Sequence, residues 1–100
     1  MLELQVLHSR TRDMIKAFVL GDTDELIVGR DEECDICIKS RSVSREHCAI
    51  ERNGQDTWIR DLESTGGTFL DGERVEEMRI VDGMEFSVGP AILKFIESGI

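Results

Sequence analysis

The 100 residues contain one proline, three cysteines and 5% aromatic side chains, and 12 Lys and Arg face 21 Asp and Glu. Each shortage excludes something. With so little proline and 40% hydrophobic residues, the chain shows no sign of disorder or low complexity. It holds enough apolar material for one compact core, so residues 1–100 are expected to form a single domain. No run approaches the ~20 consecutive apolar residues of a membrane span. The opening M-L-E-L-Q-V-L-H-S-R alternates where a secretory signal would be solidly apolar. A soluble, cytoplasmic protein with no membrane partner is expected. The formal net charge of -9 argues against nucleic acid as a partner, because phosphate backbones are held chiefly by excess Lys and Arg.

Cys34, Cys37 and Cys48 are odd in number and fit a reducing compartment, where they read as small buried hydrophobes. C-D-I-C with His47 and Cys48 lacks the second short-spaced ligand pair of a zinc site, so no metal is expected. In a strand from Cys34 to Ile38 the two thiols would also point to opposite faces.

A sustained helical stripe is missing as well. Leu2, Leu4 and Val6 alternate with Glu3 and Gln5, the period of a half-buried strand. Further strands are expected at Met14 to Leu20, Glu25 to Gly29, Cys34 to Ile38, His47 to Arg52 and Thr57 to Leu62. Shorter ones follow at Thr68 to Leu70, Glu73 to Val75, Met78 to Val81, Met84 to Val88 and Ala91 to Ile96. Asn53-Gly54 and Asp71-Gly72 read as two-residue hairpin turns, and Asp82-Gly83 and Gly89-Pro90 separate the last strands. About eleven short strands make an all-β sandwich of two sheets, with variable chemistry in the loops at one end.

Within this acidic chain one stretch inverts the charge. Lys39 to His47, K-S-R-S-V-S-R-E-H, carries three cations and three serines with no anion before Glu46. Cationic donors give charge-assisted bonds to an oxyanion, while hydroxyls and backbone N–H groups complete a cradle. A glycine pair follows at Ser64 to Thr68, S-T-G-G-T. This loop lacks the Lys-Ser/Thr continuation and the helix of a nucleotide-phosphate loop. Ser44 and His47 invite a nucleophile reading, but no acid is placed to orient the imidazole and no nucleophile elbow is present. No enzyme activity and no cofactor are expected.

Taken together, Gly29-Arg30, S-R-x-H at Ser44 to His47, Asp61-Leu62, S-x-G-G-T at Ser64 to Thr68, the D-G-E-R-V after it and the late D-G-M-E-F-S-V-G resemble a forkhead-associated (FHA) domain over residues 3 to 97. The resemblance implies an eleven-stranded sandwich that binds phosphothreonine peptides through loops at one end. Its partner would be a threonine-phosphorylated protein, or a phosphorylated segment of its own parent protein, downstream of a Ser/Thr kinase. The resemblance assigns Arg30 to the peptide backbone and phosphate, Ser44 to a phosphate oxygen, Arg45 to the peptide, and Thr65 to completing the phosphate contact. Arg41 lies in the loop that often adds a cation. Gly29, His47, Gly67 and Thr68 match scaffold positions. Gly66 stands where the family has the asparagine that holds the peptide main chain. Because Asn and Gly both tolerate positive φ, the turn is expected to survive while the amide is lost. The alternative function is a structural scaffold that keeps the fold and docks partners through its sheet faces without phosphate.

Overall fold

The computed structural model describes residues 1–22 and 24–98. These form eleven strands: β1 (Leu2–His8), β2 (Met14–Leu20), β3 (Glu25–Gly29), β4 (Ile36–Cys37), β5 (Cys48–Asn53), β6 (Asp56–Asp61), β7 (Phe69–Leu70), β8 (Glu73–Arg74), β9 (Glu77–Arg79), β10 (Glu85–Val88) and β11 (Ala91–Glu97). A six-stranded sheet runs β2-β1-β11-β10-β7-β8, and a five-stranded sheet runs β4-β3-β5-β6-β9. All neighbours are antiparallel except β3 and β4. The expected Cys34–Ile38 strand shrinks to Ile36–Cys37, because the Asp35 carboxylate instead accepts the Ile27 N–H at 2.8 Å.

The core lies where the alternating faces meet. Leu4 pairs with Phe95 across β1 and β11, and Phe86 with Leu93 across β10 and β11, all without exposure. Phe86 and Phe95 meet edge to face at 5.9 Å between centroids, a favoured aromatic geometry. The facing sheet contributes Val28, Ile36, Cys48, Ile50 and Ile59. β2 departs from the others: it is an edge strand, and Met14, Ile15 and Val19 are largely exposed.

Turn chemistry sets the hairpins. Leu70 pairs with Glu73, so Asp71 and Gly72 form the turn, both at positive φ (51° and 82°), as a type I′ turn requires. The β5–β6 turn falls one residue later than the expected Asn53-Gly54. Asn53 pairs with Asp56, leaving Gly54 and Gln55 as the turn residues, with positive φ at Gly54 alone. That is the type II′ requirement, glycine at the first central position.

The registers also decide where the loops meet. Val28 on β3, Cys48 on β5 and Asp61 on β6 stand in one row. What leaves β3 and β6, and what enters β5, therefore emerges at the same end of the sandwich. β4 runs parallel to β3, so the chain after Cys37 leaves there as well.

Candidate functional site

Three connections crowd this end: residues 30–35, 38–47 and 62–68. Gly29 opens the first, and no larger residue fits, since a Cβ there would lie 2.1 Å from the Arg45 carbonyl oxygen. The backbone N–H of Arg30 donates to Ser44 O at 2.9 Å, and its side-chain Nε donates to Val43 O at 3.1 Å. With Nε held, the two terminal guanidinium nitrogens are the groups that Arg30 presents outward. Arg41 stands beside it across an open cavity of about 300 Å3 that Glu32, Lys39 and Ser40 also line. Lys39 is paired with Glu32 at 3.1 Å, both highly exposed, so its charge is partly answered within the rim.

The Ser44 hydroxyl oxygen accepts the Thr65 N–H at 3.1 Å. One lone pair is thereby occupied, and the hydroxyl proton is left to donate elsewhere. Ser44 in turn donates its backbone N–H to Nδ1 of His47 at 3.1 Å. Nδ1 must therefore be an acceptor, which makes the imidazole neutral with its proton on Nε2, and Nε2–H donates to Gly67 O at 2.8 Å. The His47 backbone is equally engaged: its N–H donates to Val28 O at 2.7 Å, and its carbonyl accepts from Leu62 at 2.9 Å. This fully buried histidine ties β3, the 38–47 loop and the 62–68 loop together.

A second knot shapes the 62–68 loop. Asp61 accepts from Ser64 Oγ (2.6 Å), Ser64 N (3.0 Å) and Thr68 Oγ1 (2.8 Å), and Ser64 Oγ in turn accepts the Gly67 N–H (3.0 Å). Burial would push the Asp61 carboxyl up, but the hydrogen bonds from Ser64 and Thr68 outweigh it and hold it below the usual carboxylate range. Arg74, arriving on β8, donates to Ser64 O at 2.7 Å. Asp61 and Arg74 lie in the matched motifs, and their roles become visible only in the packed loops. An Asp three residues before a Ser is a weak local signal for such a turn. The Arg74 contact has no local signal, because it depends on the β7–β8 hairpin folding back.

Gly66 behaves differently from the sequence expectation. The positive φ belongs to Gly67, at 89°, and Gly66 is not in that region. Its constraint is contact: a Cβ at 66 would come within 2.9 Å of Ser42 O. The 38–47 loop thus packs against the bare backbone at the position of the family's asparagine. Arg45 and Thr65 are exposed at the rim. The Arg45 carbonyl accepts from Cys34 Sγ (3.1 Å) and Asp31 N (3.2 Å). Cys37 Sγ turns to Arg30 O at 3.5 Å, so the thiols serve as loop anchors. Cys48 lies in the core, where burial pushes its thiol up to about 12.

The FHA domain family model matches residues 26–89, and the chain belongs to that family. It is 33% identical to the FHA domain-containing protein FhaA of Mycobacterium tuberculosis over 63 residues, 63% of this chain and 12% of FhaA. The chain thus spans only a small part of that relative. The crystal structure of the FHA domain of the Chlamydia trachomatis protein CT664 superposes with a TM-score of 0.87 at 23% identity, covering 98% of each chain. The FhaA FHA domain, solved in complex with the intracellular domain of Rv3910, gives 0.80 at 25% identity over 95% of this chain and 99% of that one.

Proposed function

We propose that this domain is a phosphothreonine-peptide-binding module that recruits a kinase-phosphorylated partner, or a phosphorylated segment of its own parent protein. Residues 1–100 act as one such domain in the cytoplasm, with no catalytic step. The observation that carries the reading is the pair of oriented donors. Arg30 is held by Nε while its terminal nitrogens have no partner among the described residues, and beside it the Ser44 hydroxyl accepts from Thr65 and keeps its own proton to give. Donors set before the ligand arrives lose little freedom on binding, and a dianion rewards each with a charge-assisted bond. Arg41 and Arg45 add positive potential at the rim, and Thr65 stands at the loop tip.

The same geometry supports a binding role over a catalytic one. His47 uses Nδ1 on the Ser44 backbone and Nε2 on Gly67, so the imidazole is committed to the scaffold and does not address the Ser44 hydroxyl. That FhaA's FHA domain was solved with the intracellular domain of another protein fits a recruiting role.

Calorimetry with peptides matched in sequence tests the proposal. A phosphothreonine peptide should bind, its phosphoserine form more weakly, and its unphosphorylated form not measurably. Arg30→Ala should cost about ten- to hundredfold in affinity, the equivalent of about 1.5–3 kcal/mol for a lost charge-assisted bond. Equal behaviour of phosphorylated and plain peptides across a diverse library would instead establish the scaffold reading, for which the loss of the asparagine amide at Gly66 is the favouring observation.

A further inference from the structure

The outer face of the five-stranded sheet carries the chain's single tryptophan, and its Arg60 and Glu77 border the 62–68 loop. On this face Glu51, Trp58 and Arg79 stand in one cross-strand row, with Ala49, Arg60 and Glu77 in the next. Trp58 is 41% exposed on β6, which lies between β5 and the edge strand β9. The charges around it are not evenly matched. Arg60 is paired with Glu51 at 2.7 Å and Arg79 with Asp56 at 3.1 Å, so both cations are answered. Glu77, and Glu25 opposite Glu51, have no cationic partner among the described residues. A cavity of about 250 Å3 opens beside the indole, walled by Glu51, Trp58, Arg60 and Glu77.

We infer that this face is a second, phosphate-independent docking surface for a partner segment that lays a Lys or Arg side chain against Trp58, with its charge toward Glu77. Of the aromatic side chains, the indole face attracts cations most strongly. Tryptophan and arginine are also the residues on which interface energy concentrates. The cavity accommodates one long side chain, whose stem packs on the ring while its head reaches the unanswered carboxylate. The net charge of -9 draws a basic segment toward the molecule before contact. An acidic or phosphorylated segment meets repulsion from Glu25 and Glu77 here.

Because the chain has one tryptophan, the surface reports on itself. The whole chain is titrated with a blocked pentapeptide bearing arginine between glycines, and with its lysine and glutamate counterparts. Trp58 fluorescence is followed together with the NMR amide signals of Glu51 and Glu77. A saturable response to the arginine and lysine peptides and none to the glutamate peptide is expected. Glu77→Gln should weaken the response about two- to fivefold, Trp58→Phe should retain a reduced shift at the two amides, and Trp58→Leu should abolish it. If Trp58→Leu does not fold, Trp58→Phe and Glu77→Gln decide the matter. The proposal is overturned by an equal response to the glutamate peptide, by no response at all, or by a response that Glu77→Gln leaves unchanged.

Discussion

A single hydroxyl shows how much of this site is a matter of proton direction. Ser44 Oγ accepts from Thr65, so replacing it by alanine removes both the donor offered to a phosphate and the acceptor that holds the loop tip. Thr65 is exposed and its N–H returns to water, so Ser44→Ala is expected to lose about ten- to hundredfold in peptide affinity while melting within a few degrees of wild type. His47→Ala should do the reverse. It strands the buried Gly67 carbonyl, at about 1–3 kcal/mol, and removes the acceptor of the half-buried Ser44 N–H, so thermal melts should fall sharply. Gly66 gives the sharper test. From sequence, Gly66→Asn restores a main-chain contact and strengthens binding at little cost. The 2.9 Å approach to Ser42 O adds a steric term, since any Cβ at 66 displaces the 38–47 loop. Gly66→Asn and Gly66→Ala should therefore melt alike, about 4–8 °C below wild type for roughly 1 kcal/mol of overpacking. Unchanged melting in both variants would show that the loop yields freely and that only the amide matters.

At the scale of the element, the 62–68 loop is shaped by one carboxylate. Asp61 closes the turn through Ser64 and Thr68, and its pKa is held low in the fold. The sign of its pH dependence follows. A group whose folded pKa is depressed stabilises the fold fully above its unfolded value, near 3.8, and that stabilisation is lost as pH falls through the folded pKa. Asp61→Asn should melt lower than wild type at pH 7, and the gap should narrow as pH drops below about 4. Melting curves from pH 7 to pH 2 measure it, and a constant gap would mean that the carboxylate's charge is not what closes the loop.

At the scale of the whole molecule, a domain proposed to bind a phosphorylated peptide carries a net charge of -9. The two facts coexist because screening separates near from far. The molecule extends 38 × 27 × 27 Å. At 0.01 M salt the Debye length is about 30 Å, so the peptide feels the whole acidic body, whereas at 0.15 M it is about 8 Å and the phosphate feels chiefly the nearest cations, Arg30 and Arg41. For a peptide whose only net charge is its phosphate, the association rate should therefore rise with salt over this range. Stopped-flow mixing checks this, and a rate that falls with salt would show that the rim already dominates at long range.

Alternation and turn chemistry are local, and what depended on them alone was legible in the sequence. Leu2, Leu4 and Val6 against Glu3 and Gln5, and the Asp71-Gly72 turn with both residues at positive φ, are settled by neighbours one or two positions apart. The basic stretch from Lys39 to Arg45 stood out in the same way, as a composition within a few residues. What only the tertiary structure decided are contacts across twenty or more positions: Ser44 Oγ with Thr65 N, His47 with Gly67, and Gly66 against Ser42. These depend on which loops the registers of β3, β5 and β6 bring to one end. Strand order likewise exposed β2 at an edge and left Trp58 on an open face. The physical reason is the range of the determinant: φ, ψ and side-chain period belong to the residue and its neighbours, whereas close approach and the direction of a shared proton belong to the packed pair.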